Sequence, residues 1–419
     1  MKKSKFNIIK KEDNNYLVFN TLTKAVARLT KEIGEYLIND EIDHIPPTIQ
    51  NKMKESGFLI SNDCDEIQVL KNNYEFVREK RTKVFLTLLP TMRCNFHCPY
   101  CFEGNESKNN LVSFDVERMK KFILKIISEG VGHLHITLFG GEPLLELSKL
   151  IDMFKYIKNL QNQYNFSYSS SIATNGYMLT NEVVNDLINI CNIESFQITI
   201  DGYKESHNIT RSLVNGKDTY NDVLKNFKNL LLFNDKDKYN ILLRVNLLNN
   251  TLTNIESLLE EFADAEKKNF EIYFRPIYNT KEFHVFNNNL VDLEDYYRLA
   301  KNKGFKVHYG KYLRFWHCEG DGGIEQLHIM PNMEVWKCIN DITFLDAKLG
   351  YIEENGNLYV NNEKLQKWLD TKVFSDSNCL SCKMLPICWG GCPLYFLKTG
   401  KRSCIYEKEF DYISTFFAK

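Results

Sequence analysis

Three closely spaced cysteines constrain this 419-residue chain more than any other feature. Cys94, Cys98 and Cys101 follow directly after the apolar run Val84–Pro90. Closely spaced thiolates on a tight loop are typical ligands of an iron–sulfur cluster. Three thiolates leave one iron of a 4Fe–4S cluster open, and an open metal position is where a substrate can bind. The alternative is a zinc site, which would need a fourth compact ligand, and His97 is too close to its neighbouring cysteine to coordinate without strain.

Further motifs follow these cysteines, each placed where a predicted strand ends. They are Gly140-Gly141-Glu142-Pro143 after His135–Phe139, Thr174-Asn175-Gly176 after the next strand, Asp201-Gly202 after the third, and Arg211 ten residues later. With Tyr100 directly before the third cysteine, this arrangement resembles the radical S-adenosylmethionine (SAM) superfamily of enzymes. One such motif alone would be weak, but four in register at successive strand ends are specific.

The resemblance implies how these residues bind a cofactor. Cys94, Cys98 and Cys101 would hold a 4Fe–4S cluster that binds SAM at its open iron. Residues 140–143 would hold the methionyl amino group, and Arg211 would lie near the SAM carboxylate. The other members of the implied SAM-binding set are Tyr100, Asn175 and Asp201. Cleavage of SAM would give methionine and a 5'-deoxyadenosyl radical that abstracts hydrogen from an unactivated carbon. No side chain is singled out as a catalytic acid or base.

Composition limits the classes of binding partner and the cellular compartment that we expect for this protein. The 53 basic and 54 acidic residues nearly cancel, which argues against nucleic acid or an anionic membrane as the main partner. No apolar run reaches membrane-spanning length, and no signal-peptide core follows the basic start Met1–Lys5. We therefore expect a cytoplasmic protein, in which twelve cysteines point to metal binding or catalysis rather than disulfides. Cys64 is isolated among acidic residues and receives no role, and Cys191 lies on a predicted apolar helix face as a core thiol.

Residues 1–62 are predicted to form a separate module. The predicted elements are strands Phe6–Ile9 and Tyr16–Phe19, a helix from Thr23 with Val26, Leu29, Ile33 and Leu37 on one face, a helix from Pro46-Pro47, and a returning strand Gly57–Ile60. This pattern resembles a winged-helix-like peptide-recognition module. The resemblance implies that a leader peptide binds by strand addition. The alternative is an N-terminal cap without a ligand. A charged linker helix is predicted within residues 63–82.

Strand and helix patterns alternate over residues 83–280. The predicted strands are Val84–Leu89, Leu134–Phe139, Ser169–Ala173, Ser195–Ile200, Ile241–Leu247 and Phe270–Phe274. Such alternation predicts an α/β fold with a parallel sheet, either doubly wound or a partial barrel, with ligands at the carboxyl ends of the strands. The family resemblance selects a partial (β/α)6 TIM-like barrel.

The last quarter of the chain contains seven further cysteines. They are Cys318, Cys338, Cys379, Cys382, Cys388, Cys392 and Cys404. After a bridging region over residues 281–313, residues 314–419 resemble the SPASM domain, which holds auxiliary Fe–S clusters in radical SAM enzymes that modify peptides. Taken alone, the block would also suit a ferredoxin-like or zinc-ribbon fold. One departure is Met333, where family members usually have glycine, although Asn332-Met333 can still form the turn.

The SPASM resemblance implies two auxiliary 4Fe–4S clusters in addition to the SAM-binding one. The outer cluster would be held by Cys379, Cys382, Cys388 and Cys404. The inner cluster would be held by Cys318, Cys338 and Cys392, which leaves its fourth position unassigned. Either a side chain such as His317, Glu319 or Tyr312 closes this position, or it remains open to a substrate cysteine thiolate.

Three functions follow from these features. The first is a maturase that installs a cross-link in a ribosomally made precursor peptide, most simply a thioether from a cysteine, as in sactipeptides and ranthipeptides. Its partners would be the precursor, with its leader on the N-terminal module, and a reductant such as flavodoxin or ferredoxin. The second is a sulfatase-type maturase that forms formylglycine, or another radical modification such as a C–C or C–O cross-link or an epimerisation. Sulfatase-type enzymes have an Asp base where this chain has Ile339. The third is an Fe–S electron-transfer protein, which would leave the SAM motifs unexplained.

Overall fold

The computed structural model of the protein describes residues 1–79, 82–101, 112–233, 238–247, 252–277, 293–308 and 324–404. These residues belong to two compact units. The module unit comprises 1–80, 311–321 and 368–419, and the barrel unit comprises 81–310 and 322–367. The domain limits expected from the sequence stay a prediction. The two units divide the chain differently, since they group residues 368–404 with the N-terminal module rather than with residues 324–367.

The N-terminal part of the module unit contains two small antiparallel sheets. Its strands are β1 Lys2–Lys3, β2 Asn7–Glu12, β3 Asn15–Asn20, β4 Val26–Thr30 and β5 Leu59–Ile60, and its helices are α1 Lys31–Ile38, α2 Pro47–Glu55 and α3 Glu66–Glu79. Strands β2, β3 and β4 form a meander with β3 in the centre, and β1 pairs with β5. The predicted first strands, the second helix and the returning strand are therefore present.

The predicted helix from Thr23 is wrong over its first part. Residues Val26–Thr30 form strand β4, and the helix begins only at Lys31. Leu29, Ile33 and Leu37 are nevertheless all buried in one core. Their spacing fits a continuous helix, but it also fits a strand followed by a helix. Pairing of β4 with β3 satisfies the backbone of this segment, which periodicity alone could not reveal.

The barrel unit contains one sheet that, in the described residues, has eleven strands. Its central parallel strands are β6 Lys83–Leu88, β7 His133–Leu138, β8 Ser167–Thr174, β9 Ile193–Thr199, β10 Asn240–Leu247 and β11 Glu271–Pro276. Each pairs in parallel with the next one in chain order. A doubly wound sheet would reverse this order, so the arrangement confirms the partial barrel.

Further strands extend the sheet at both edges. They are β12 Lys306–Val307 beside β11, and β13 Gln326–Ile329, β14 Glu334–Trp336, β15 Lys348–Ile352 and β16 Leu358–Val360 beyond β6. Strand β13 pairs in parallel with β6, whereas β14 to β16 are antiparallel. The strand and helix patterns of the sequence did not predict this extension.

Helices follow the strands of the barrel unit. They are α4 Val116–Ser128, α5 Leu147–Leu160, α6 Asn181–Asn189, α7 Lys204–Thr210, α8 Tyr220–Phe233, α9 Leu252–Glu260, α10 Leu293–Asn302 and α11 Asn362–Leu369. Helix α4 begins where the Asp115 carboxylate accepts a hydrogen bond from the Arg118 amide, as an N-cap should. Cys191 is fully buried, and burial raises the pKa of its thiol to about 12, which confirms the predicted core thiol.

The described C-terminal segment completes the core of the module unit. Its helices are α12 Ser377–Ser381, α13 Leu385–Cys388 and α14 Pro393–Thr399. Leu70 of α3 packs with Val373 and Leu385, and the ring of Tyr74 lies 5.6 Å from that of Trp389. The expected linker helix is thus a core element. None of the helices in the described ranges is long and apolar enough to cross a membrane.

Candidate active site

The loop that bears Cys94, Cys98 and Cys101 follows β6 and is fixed to a segment of distant sequence. The Val214 amide donates a hydrogen bond to the Asn95 carbonyl, and the His97 amide donates to the Ser212 carbonyl, both at 3.0 Å. Between them Phe96 is fully buried. Cys98 is buried, whereas Cys94 and Cys101 are partly exposed. Backbone pairing and one buried ring therefore set the path of this loop.

The two glycines after β7 allow the backbone to contact the start of the cysteine loop. The Gly141 amide donates to the Thr91 carbonyl at 3.1 Å, and the Glu142 amide donates to the Arg93 carbonyl at 2.8 Å. A Cβ atom on Gly141 would lie 2.1 Å from the Arg93 carbonyl oxygen. Gly140 has φ +107°, which disfavours a side chain there. The predicted motif thus supports the cysteine loop directly.

Glu142 is a fully buried carboxylate that joins the ends of two strands. Its Oε1 accepts hydrogen bonds from the Leu144 amide at 3.1 Å and the Thr174 hydroxyl at 2.8 Å, and its Oε2 accepts one from the Asn175 amide at 2.8 Å. Burial raises the pKa of this carboxyl, and the three hydrogen bonds oppose the shift. The Glu142 side chain therefore fixes the positions of Leu144, Thr174 and Asn175 relative to one another.

Asn175 connects the carboxyl end of β8 to the region of the first cysteine. Its Nδ2 donates to Asn95 Oδ1 at 2.7 Å and lies 3.9 Å from Cys94 Sγ. Its own Oδ1 accepts from the Tyr177 amide at 3.0 Å, which fixes the rotamer. The carboxyl end of β8 and the cysteine loop are thereby joined by side-chain bonds.

Tyr100 is the centre of a second buried network at the ends of β9 and β10. Its hydroxyl donates to the Asp201 carboxylate and accepts from Arg211 Nη1 at 3.0 Å and from Asn246 Nδ2 at 3.3 Å. The Asn246 amide donates to Asp201 Oδ1 at 3.0 Å. Burial raises the pKa of both Tyr100 and Asp201, although Arg211 opposes each shift. The structure therefore brings together these three predicted residues, with Asn246 as an unpredicted fourth.

Comparison with known proteins agrees with this arrangement. The family model of the radical SAM superfamily matches residues 88–262, which contain the cysteine loop and all four strand-end motifs. Residues 88–262 are a radical SAM domain. The domain accounts for the parallel strands and for the order of the motifs along them.

Relatives extend the similarity beyond the radical SAM domain. The radical SAM cyclopropyl synthase TigE of Paramaledivibacter caminithermalis is 24% identical over 447 aligned positions, covering 92% of this chain and 88% of that protein. A cysteine-type anaerobic sulfatase-maturating enzyme of Clostridium novyi is 27% identical over 329 positions, with 71% and 84% covered.

The fold is also that of a solved structure. SuiB of Streptococcus suis bound to S-adenosylmethionine superimposes with a TM-score of 0.54 at 15% identity, covering 96% of this chain and 97% of that one. The same protein bound to its precursor peptide SuiA gives a TM-score of 0.50.

A buried histidine that the sequence analysis did not identify links two residues of the radical SAM domain. His207 Nδ1 accepts from the Asp201 amide at 3.3 Å, and His207 Nε2 lies 3.1 Å from the Thr219 hydroxyl oxygen. The Thr219 hydroxyl donates to the Arg211 carbonyl at 2.6 Å. Burial lowers the pKa of His207 well below its ordinary value, so the ring is neutral. Because Nδ1 accepts a backbone N–H, Nε2 carries the proton and donates.

The sequence contained a weak signal for this connection. His207 and Arg211 are four residues apart, which places them on one side of a helical turn after Asp201-Gly202. A polar residue at this spacing does not by itself indicate whether it is buried. The predicted SAM-carboxylate role of Arg211 stays a prediction, although its guanidinium is buried beside Tyr100.

The C-terminal cysteines are partly brought together within the module unit. The pKa of the Cys388 thiol is raised to about 12. Burial is the largest cause and the neighbouring Cys404 is the next, with smaller contributions from Cys379 and Cys382. Burial, then Asp376, raises the pKa of Cys379 to about 11. The four thiols predicted for the outer cluster are therefore neighbours. Within the described ranges, however, no group of three or more His, Cys, Asp or Glu side chains has an arrangement that could hold a metal ion.

Three consecutive left-handed residues turn the chain between Cys388 and Cys392. Trp389, Gly390 and Gly391 have φ of +52°, +79° and +85°. A Cβ on Gly391 would lie 2.2 Å from the Ser403 carbonyl oxygen, so only glycine permits this approach. The Cys392 amide donates to Ser403 Oγ at 2.8 Å. This turn brings the segment before Cys404 to the other cysteines of the unit.

The predicted inner cluster has two further ligands besides Cys392. Cys338 lies in the barrel unit just after β14 and is partly exposed. Cys318 lies outside the described residues, as do Tyr312, His317 and Glu319. Met333 adopts φ +64°, and Asn332 Oδ1 accepts from the Glu334 amide at 3.1 Å. The turn expected at this non-glycine position is thus formed, with Met333 itself in the left-handed conformation.

Proposed function

We propose that this protein is a radical SAM peptide maturase that installs a thioether cross-link in a ribosomally made precursor peptide. The observation that carries the proposal is the cysteine loop, which is bonded to the strand-end motifs of a radical SAM domain. Similarity along 92% of the chain to a cyclopropyl synthase supports a function that also uses the regions outside this domain. The precursor-bound state of SuiB, a protein of the same fold, supports a peptide as the substrate.

The donor sets suit iron–sulfur clusters. Cys94, Cys98 and Cys101 would hold the SAM-binding cluster, because thiolates are the usual ligands of such clusters and the path of their loop is fixed by backbone bonds. The other predicted cysteines would hold two auxiliary clusters. When bound, these groups supply the electron that cleaves SAM and accept the electron left after hydrogen abstraction. The residues of this chain orient the site and exclude water, since Glu142, Asp201 and Arg211 are buried.

The cross-link type rests on the predicted inner auxiliary site. The sequence supplies that site with three cysteines, so a substrate cysteine thiolate would complete it. A bound thiolate beside a carbon radical would favour C–S bond formation by proximity. We infer that the precursor contains cysteine and that its sulfur becomes bonded to carbon.

A sulfatase-type activity is the second candidate, because a sulfatase-maturating enzyme is 27% identical to this chain. The residue after Cys338 argues against it. Ile339 is a buried aliphatic side chain, which cannot act as the base that such enzymes have at this position.

Mass spectrometry of the short peptide encoded beside this gene tests both functions. The peptide is incubated anaerobically with the reconstituted protein, SAM and a reductant. A thioether removes two hydrogens and blocks alkylation of one cysteine by iodoacetamide. An aldehyde that reacts with a hydrazide would instead support the sulfatase-type function. A cross-link through carbon or oxygen, with cysteine still free, would refute the thioether.

Leader recognition by the N-terminal module is a further part of the proposal. The meander leaves β2 and β4 as edge strands, to which an extended peptide can add by backbone hydrogen bonds. Hydrogen exchange tests this point in the intact protein. Leader binding should protect amides of β2 or β4 and leave β5 unchanged. Binding without protection of either edge would make the module a cap.

A further inference from the structure

A row of histidine and hydroxyl side chains runs along the inward face of β7 and β8. Successive residues of a strand point to opposite faces, so Tyr168 and Ser169 face opposite ways. The ring of Tyr168 lies 6.2 Å from that of Phe154 on helix α5, which places Tyr168 on the face covered by helices. Ser169 therefore faces the barrel interior, and register pairs it with His135 of β7 on the same face.

These side chains form one continuous hydrogen-bonded chain, which we call the His–Ser chain. From the amino ends of the strands upward, its members are Ser167, His133, Ser169, His135, Ser171 and Thr137. The two ring nitrogens of His133 lie 2.8 Å from Ser167 Oγ and 3.3 Å from Ser169 Oγ. Those of His135 lie 2.8 Å from Ser169 Oγ and 3.1 Å from Ser171 Oγ. Ser171 Oγ lies 3.0 Å from Thr137 Oγ1.

The His–Ser chain connects the reactive end of the barrel with solvent. Its lower end, Ser167, is the first residue of β8 and is exposed. Its upper end, Thr137, is the next-to-last residue of β7, close in sequence to the Gly140-Gly141 motif that contacts the cysteine loop. Ligands of this fold bind at the carboxyl ends of the strands. Because imidazole and hydroxyl groups both donate and accept hydrogen bonds, protons can pass along the chain between the two ends.

The hydrogen bond at the lower end sets the order of donors. The Ser167 hydroxyl donates to the Gly132 carbonyl at 3.4 Å, so Ser167 Oγ accepts from His133 Nδ1. When Nδ1 of a neutral ring carries the hydrogen, Nε2 accepts, and the Ser169 hydroxyl is its donor. The same order repeats at His135. Every hydrogen of the chain then points toward solvent, which is the order that an outgoing proton needs.

We propose that the His–Ser chain carries away the proton that a substrate cysteine loses when its thioether forms, an inference that rests on the proposed function. The cross-link removes two hydrogens from the peptide. One leaves a carbon as a hydrogen atom and joins the 5'-deoxyadenosyl radical, and the other leaves the thiol as a proton. Sulfur bonds to the carbon radical, and the electron left over passes to an auxiliary cluster.

The proton moves by successive transfers along the chain. It enters at the Thr137 hydroxyl, whose own hydrogen passes through Ser171 to His135 Nε2. Because an imidazole takes a proton on one nitrogen and releases one from the other, the hydrogen on His135 Nδ1 moves on to Ser169. His133 repeats this step, and a proton leaves to water at the exposed lower end.

Variants of β8 test the path with the peptide encoded beside this gene. Ser169→Ala removes the hydroxyl between the two histidines, and Ser169→Thr keeps one there. Ser170→Ala is the matched control, because the Ser170 hydroxyl lies on the opposite face and donates to the Cys191 carbonyl. Thioether formed per 5'-deoxyadenosine should fall about tenfold in S169A, since a positioned proton acceptor is lost. It should stay at the wild-type value in S169T and S170A.

Deuterium separates this role from a merely structural one. In deuterium oxide, S169A should still form the carbon radical, which an electron from the reductant and a deuteron from solvent then quench. Unlinked peptide recovered from S169A should therefore carry deuterium on carbon, whereas that from S170A should not. Equal thioether yields per 5'-deoxyadenosine in S169A and the wild type would overturn the path. Absence of thioether from the wild type would instead refute the proposed function.

Nitrogen NMR examines the chain without any peptide. The reconstituted, oxidised protein is labelled with 15N-histidine, and each ring is assigned from a His→Gln variant. At a pH where the rings are neutral, His133 and His135 should carry their hydrogen on Nδ1. His207 is the internal control, because its bonds require the hydrogen on Nε2. Hydrogen on Nε2 of either His133 or His135 would break the order of donors and overturn the path.

Discussion

The two cysteine-bearing regions of this protein are built in different ways. The loop from Cys94 to Cys101 is held by backbone bonds to residues 212 and 214 and by side-chain bonds from Asn95 to Asn175 and from Tyr100 to Asp201. The C-terminal cysteines are spread over residues 379–404 on helices of four to seven residues joined by tight turns. Burial, followed by neighbouring charged groups, raises the pKa of the Cys379 thiol to about 11 and that of the Cys388 thiol to about 12, so these two thiols favour the protonated state without metal. We therefore expect the first region to keep its path without metal, whereas thiol–metal bonds would be needed to join the short helices of the second.

Removal of iron should therefore give the largest effect, and protection from hydrogen exchange should fall much more in the second region than in the first. In chelated protein, amides of residues 377–392 should lose most of their protection from hydrogen exchange, because thiol–metal bonds no longer join the short helices. The amides of His97 and Val214 should keep theirs, because they donate to the carbonyls of Ser212 and Asn95. Equal loss in both regions would remove the contrast.

The second prediction concerns the contact between Gly141 and the cysteine loop. Gly141→Ala should lower the free energy of unfolding by about 3 kcal/mol, because the new Cβ must displace backbone. Gly130→Ala is the control, since the φ of Gly130, +97°, itself disfavours a side chain, but no atom lies within 4 Å of the added carbon. It should cost only about 1 kcal/mol. Equal losses in urea unfolding would show that the close approach is not a constraint.

The elements that bear the first region could be predicted from the sequence, because the signals for them lie in short stretches of the chain. The strand ends and the motifs after them are marked by apolar runs followed by glycine, and the parallel order follows from strand–helix alternation. The extent of β4 and the pairing of β13 with β6 could not be predicted, because both depend on partners distant in sequence. His207 was missed for a similar reason, since its partners are backbone groups and a threonine hydroxyl.

The third prediction concerns Glu142. Glu142→Gln should cost about 2 kcal/mol, because the amide group faces an N–H donor where an acceptor stood. The folded protein raises the pKa of Glu142, so it binds this proton more tightly than the unfolded chain. The contribution of this group to stability is thus present at low pH and is lost as pH rises through the raised pKa. Unfolding of E142Q should lack that component of the pH dependence. An unchanged pH profile would contradict the assignment.

The smallest effect is expected at His207, whose ring bonds to the Asp201 amide and, through Thr219, connects to the Arg211 carbonyl. His207→Ala should raise the KM for SAM about tenfold, a loss of about 1.4 kcal/mol, with less change in kcat. Thr219→Val should add little to it, because both variants break the same connection. The exposed His44→Ala is the matched control. A fall in kcat alone, or additive effects of the two variants, would contradict a positioning role.

The most direct test of the account is the triple variant in which Cys94, Cys98 and Cys101 are replaced by alanine. The reconstituted variant is incubated anaerobically with SAM and reductant, without peptide, and both 5'-deoxyadenosine and bound iron are measured. We expect that 5'-deoxyadenosine is absent while the iron of the C-terminal cysteines remains. Formation of 5'-deoxyadenosine at the wild-type rate would contradict the assignment of the cysteine loop as the SAM-binding site.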